Sequence, residues 1–227
     1  MLRFKMMLTR TAMGWLILIL SGFSPASGQD HWLAGTGRSA ITPTEPLMMA
    51  GYASRTTPAT KKNIDLWAKV LVLEDHTGNR GVLISLDLVG IGRLLSQRVC
   101  QRLNESFGLE RDQIAIFTSH THSGPVVGRN LAPMHFMLAE ESQQKQIESY
   151  ADRLVGEIQS AVGMAIKASE PSRVQWGNGK ATFAVNRREN RPYDAIEKKR
   201  ATGTLAGPID HDVPVLSVRD LSGKLRA

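Results

Sequence analysis

Apolar residues recur along this chain with two different periods. Between residues 65 and 92, the runs DLWAKVLVLED and GVLISLDLVGIG are dense in Val, Leu and Ile and are separated by HTGN. Such runs read as buried strands, and the turn between them predicts a hairpin. From Arg93 the period lengthens. Leu95, Val99, Leu103 and Phe107 fall four apart, and Gly108 stands where a helix would stop. QIAIFTS, residues 113–119, reads as the next strand. A loop through GRNLAPMHF leads to the longest helical pattern, residues 139–168. There Ile147, Ala151, Leu154, Ile158, Ala161, Ala165 and Ala168 form one stripe, and Pro171 is expected to end it.

The flanks are shorter. WLAGTGRSAITP predicts a short strand, followed by the Gly-, Pro- and Thr-rich segment PLMMAGYASRTTPATKK, which predicts a long irregular stretch. RVQWGNG with ATFAVN, and then DVPVLSVRD, give two further strand signals, with SGK as a turn after the second. The order reads β-β-α-β-α-β-β, an α/β domain with a mixed β-sheet and flanking helices. GKLRA ends the chain where another strand is expected to start, so the sheet is expected to be incomplete at its C-terminus.

The N-terminus changes this picture. MLRFKMMLTR is basic, AMGWLILILSGF is apolar and SPASG is made of small residues. That is the pattern of a cleaved signal peptide over residues 1–28, which predicts a secreted or periplasmic protein. The apolar run is shorter than the roughly 20 residues a membrane span needs. Residues 1–28 carry three basic and no acidic side chains, so the formal charge of +7 falls to +4 in the predicted mature chain. The basic run NRRENRPYDAIEKKR, residues 186–200, lacks interleaved aromatics and reads as a solvated loop, not a nucleic-acid surface. A single cysteine, Cys100, sits in a helical pattern and is expected to be a small buried apolar residue. Any metal would therefore be held by nitrogen and oxygen donors.

The candidate chemistry lies in TSHTHSGP, residues 118–125. His120 and His122 follow a strand at its carboxyl end, where open α/β sheets place ligands. In an extended segment residues i and i+2 face one side, so both imidazoles could reach one centre. Imidazole is both a zinc ligand and the acid–base group nearest neutral pH, so the pair reads as a metal site, an acid–base pair or a structural loop. His135, in a loop, could approach this pair but reads as exposed. His211, between Asp210 and Asp212, reads as a charged strand entry or a ligand set. Asp87 could orient a histidine or cap a turn.

Six blocks in chain order, AITP, MMAGYAS, VLISLDLVGI, TSHTHSGP, VNRREN and GPIDHDVPVLSVRD, resemble the N-terminal catalytic region of the neutral/alkaline non-lysosomal ceramidase family. The resemblance implies that residues 29–227 are the N-terminal portion of such a catalytic domain. It also implies a zinc-dependent hydrolase that cleaves the amide bond of ceramide to sphingosine and fatty acid, in transient contact with a membrane surface. By position it makes His120 a zinc ligand, sets His122 beside the metal, and gives Arg187 the substrate's polar head. Val126 and Val127 replace glycines of the family motif and could narrow the space beside the metal or change the substrate accommodated. The family's remaining ligands, a histidine, a glutamate and a tyrosine, fall beyond LRA, which implies a fragment. A non-catalytic exported domain, or a hydrolase of another N-acyl amide or ester, is the alternative.

Overall fold

A computed structural model of the chain describes residues 32–227. The predicted signal peptide and His31 lie outside the described residues. The strands are β1 (Trp32–Ala40), β2 (Trp67–Glu74), β3 (Arg80–Leu86), β4 (Ile114–Thr118), β5 (Glu170–Lys180) and β6 (Asp212–Asp220). The helices are α1 (Arg93–Phe107), α2 (Glu141–Lys167) and the short α3 (Ile196–Ala201). The strands form one six-stranded sheet in the order β4-β3-β2-β1-β5-β6. Only β3 and β4 run parallel, so the α/β class with a mixed sheet is what the structure has.

The β2–β3 hairpin forms as its pattern predicts. Its turn is fastened by Asp75, whose Oδ1 accepts from the Thr77 and Asn79 amides and the Thr77 hydroxyl. These bonds favour the ionised carboxylate and hold the Asp75 carboxyl well below the usual range. In α1, Leu95, Val99, Cys100 and Leu103 are buried. Gly108 ends it in the left-handed conformation (φ 66°), its amide bonding the Asn104 carbonyl.

Three readings of the sequence are corrected. The strand predicted at WLAGTGRSAITP forms, but the linear order is one strand short before α1: β1 pairs with both β2 and β5 and lies inside the sheet. Pro171 does not end α2, which stops at Lys167; Pro171 is paired with Leu33 near the start of β5, where a missing N–H is tolerated. ATFAVN forms no strand, because after the Ala181 amide bonds the His211 carbonyl the segment leaves the ladder. At the other end, the chain turns after Asp220 and runs back along β6. There Arg226 N–H donates to the Val218 carbonyl, so the residues after SGK do begin another pairing.

The core lies between the sheet and α2, where the predicted stripe from Ile147 to Ala165 is at most 3 % exposed; Ala168 is exposed. Gly35 and Gly37 face this helix from β1. A Cβ on either would overlap a helix carbonyl oxygen, that of Ala165 or of Ala161. The two glycines and the two alanines thus let backbone press directly on backbone. Tyr150 closes the end of this contact. Its buried hydroxyl donates to the Ile41 carbonyl at 2.6 Å, and burial pushes the phenol pKa well above its usual value.

Candidate metal and acid–base site

The carboxyl ends of the two parallel strands, β3 and β4, create the site. Residues 87–89 follow β3 and residues 119–125 follow β4. The Ser119 amide bonds the Leu86 carbonyl, carrying the pairing one residue past β4. The chain then breaks sharply: His120 has φ 55°, a left-handed conformation uncommon outside glycine. The imidazoles therefore do not meet because the segment is extended, as expected, but because a tight turn folds one toward the other. Their ring centroids are 5.2 Å apart, at 68° between planes.

His120 and His122 are held differently. The Nδ1 of His120 lies 2.7 Å from the Val89 carbonyl oxygen. A carbonyl can only accept, so Nδ1 donates, and Nε2 is the nitrogen left on an exposed ring to meet a metal or a proton. His122 is half-buried, and its Nδ1 is buried without a hydrogen-bond partner among the described residues.

The loop Leu47–Pro58 packs on this turn. Val126 N–H donates to the Met48 carbonyl and Ala50 N–H to the Gly124 carbonyl, with Met49 bridged to Pro125. Gly51 sits against the His122 ring at φ 102°, and a Cβ there would lie 2.5 Å from the ring's Cγ. Tyr52 stands edge-on to the same ring, centroids 4.8 Å apart. Arg55 stacks over Tyr52 at 4.9 Å and donates from Nη1 to the carbonyls of Ala50 and His122. None of Gly51, Tyr52 or Arg55 was singled out as a site residue from the sequence; the only signal was the ordered block MMAGYAS inside an irregular segment.

His135 is corrected too. It is 6 % exposed, not a surface residue, and its Nε2 accepts the Gly51 amide at 3.3 Å, so it supports the loop that supports His122. Burial, and then the charge of Arg55, hold its pKa below the ordinary value near 6.5. Above that pH the ring is neutral both folded and unfolded. As pH falls below 6.5, the unfolded chain takes up a proton that the folded chain resists, so stability falls until the folded pKa is reached. Urea midpoints are expected to drop between pH 7 and pH 5, and His135→Gln, which keeps an acceptor for Gly51, is expected to lessen that drop. An equal drop in the variant would refute this role.

A family profile described as neutral/alkaline non-lysosomal ceramidase, N-terminal, matches residues 32–226. The chain belongs to this family. Neutral ceramidase A of Dictyostelium discoideum is 27 % identical over 201 residues, covering 87 % of this chain and 27 % of that protein. The neutral ceramidase of Drosophila pseudoobscura pseudoobscura is 33 % identical over 112 residues, 48 % of this chain and 16 % of its own. The crystal structure of neutral ceramidase from Pseudomonas aeruginosa superposes with a TM-score of 0.65 at 25 % identity, covering 86 % of this chain and 30 % of that one. The chain thus spans under a third of the length of these ceramidases.

Within this ceramidase-family chain, the donors fit one position of a zinc centre. A ligating histidine commonly donates its second ring N–H to a carbonyl, as His120 does to Val89. A complete set is not present: among the described residues no group of three or more His, Cys, Asp or Glu side chains could hold a metal. His211 does not join the pair in such a group; it stands just before β6, its Nδ1 on the Ala181 carbonyl. Asp87 accepts the Trp67 amide at 3.0 Å and closes the end of the β2–β3 ladder, so it orients neither histidine. Arg187 is exposed in the loop between β5 and β6, and no hydrogen bond or ion pair joins it to the histidines among the described residues. Val126 and Val127 are corrected: each is 1 % exposed and packs into the core, so neither narrows the space in front of the imidazoles.

Proposed function

We propose that this chain forms the histidine-bearing N-terminal part of an exported, zinc-dependent hydrolase that cleaves the N-acyl amide of ceramide. The family match over residues 32–226, joined to a His120 whose Nδ1 is taken by Val89 and whose Nε2 has no hydrogen-bond partner among the described residues, is the observation that carries this reading. His120 holds the metal through Nε2, because its Nδ1 proton is committed to the Val89 carbonyl. Zinc, when bound, polarises the amide carbonyl and lowers the pKa of a bound water toward about 7. His122, its ring 5.2 Å from that of His120, passes a proton to the leaving amine nitrogen. Arg187, permanently charged, donates to an oxygen of the substrate's polar head. One water is added across the C–N bond, giving a carboxylic acid and sphingosine. The other metal donors come from outside the described residues, in a polypeptide as long as the family's known members.

The test is release of fatty acid from a short-chain ceramide, with zinc stoichiometry measured on the same sample. It is run on the 227-residue chain and on the polypeptide of its continuous reading frame. Zinc-dependent hydrolysis by the longer polypeptide is the expected result. Hydrolysis unchanged by zinc removal would rule out the metal, and a zinc-loaded protein that cleaves another N-acyl amide or an ester but not ceramide would replace the substrate.

A further inference from the structure

We propose that Arg55 is a positioning residue for His122, and that the loop before β2, not the histidine's own turn, sets the orientation of its imidazole. The turn itself offers that ring little. His122 Nδ1 has no hydrogen-bond partner among the described residues, whereas His120 is fixed through Val89. Beyond the His120 ring at 5.2 Å, the contacts on the His122 ring come from the loop: Gly51 against one edge and Tyr52 edge-on at 4.8 Å.

Arg55 connects these pieces. Its Nη1 donates to the Ala50 and His122 carbonyls, 2.5 Å each, tying the two backbones that must stay in register for the contact to exist. Bonds from a charged donor are about twice as strong as neutral ones, and the planar guanidinium adds a face that an ammonium lacks. That face lies 4.9 Å from the Tyr52 ring and limits its rotation away from His122. Arg55 touches no reacting atom in this arrangement. Its effect passes through the backbone of His122 and the ring of Tyr52.

Only the catalytic consequence rests on the proposed hydrolase; the pose of His122 does not. The experiment is an aromatic NOE spectrum of the isotopically labelled 227-residue chain, reading the cross-peak between the Tyr52 ring and the His122 imidazole. The cross-peak is expected in the parent, lost in Arg55→Met and stronger in Arg55→Lys than in Arg55→Met, with resonances of His76 in the distant hairpin unmoved in all three. An undiminished cross-peak in a folded Arg55→Met chain overturns the proposal. If that variant fails to fold, Arg55→Gln takes its place; if neither folds, Arg55 determines the fold and the positioning role is likewise overturned. In the ceramide assay, Arg55→Met is expected to lower kcat about ten- to a hundred-fold with KM little changed. Loss of the cross-peak in a protein whose parent hydrolyses no ceramide would leave the positioning role standing and remove the hydrolase reading.

Discussion

Gly37→Ala is expected to destabilise the protein by about 3 kcal/mol, at the upper end of what overpacking a core costs. The new methyl would enter the space of the Ala161 carbonyl, and a helix carbonyl cannot turn aside without breaking its own bond to the following turn. Relief requires α2 as a whole to move off the sheet, opening gaps along Ile147, Leu154 and Ile158, all fully buried. Gly35→Ala meets the Ala165 carbonyl one turn further on and needs the same displacement. The double variant is therefore expected to lose less than the sum of the single losses, because one movement serves both. Gly156→Ala is the control. It lies on the exposed face of α2 with nothing within 4 Å of an added Cβ, so it is expected to stabilise by about 0.5–1 kcal/mol. Urea unfolding of the parent and the four variants checks all of this, and a Gly37→Ala loss under about 0.5 kcal/mol, the size of an ordinary surface change, would refute the close contact.

That contact shows what periodicity reports and what it misses. The helix side was legible, because a stripe of small and apolar residues at helical spacing records one buried face. The strand side was legible only as a short strand; that its glycines at 35 and 37 press on a helix was not, because their partners at 161 and 165 lie more than a hundred residues away. For the same reason the position of β1 in the sheet was not legible: it pairs with both β2 and β5, and β5 begins 130 residues after β1 ends. ATFAVN failed in the opposite direction. Its alternation is that of a strand, yet Phe183 is 78 % exposed and the segment finds no ladder beyond Ala181.

At the site, the position of the histidines at a strand's carboxyl end was readable because topology fixes it. Their mutual orientation was not, since it depends on the positive φ of His120 and on hydrogen bonds from remote segments. His135 reads as exposed because it follows Pro133 in a loop; the sequence carries no sign that this loop folds back until His135 is 6 % exposed and accepts the Gly51 amide. Val126 and Val127 illustrate the limit of a motif departure. A larger side chain next to a site residue matters only if it points at the site, and here the bridge of Pro125 to Met49 turns the chain so that both valines enter the core.

His120→Ala and His122→Ala are expected to fail in different ways, and the difference tests the division of roles. Removing His120 takes away the proposed metal ligand, so zinc content and hydrolysis are expected to fall together in the longer polypeptide of the ceramide assay. Removing His122 leaves His120 bonded to Val89, because that bond comes from the end of β3 and does not involve His122. Zinc is then expected to stay bound while kcat falls about a hundred- to ten-thousand-fold, the range for loss of a proton-transfer group. Truncation at 122 also empties the space between Gly51 and Tyr52, so His122→Gln, which fills it without a titratable ring, is the companion variant. Equal loss of kcat in His122→Ala and His122→Gln assigns the effect to proton transfer; activity retained by the glutamine would reduce His122 to packing. Zinc lost from His122→Ala as completely as from His120→Ala would instead make both imidazoles ligands, an arrangement their 5.2 Å ring separation permits, and would move the acid–base role to another group.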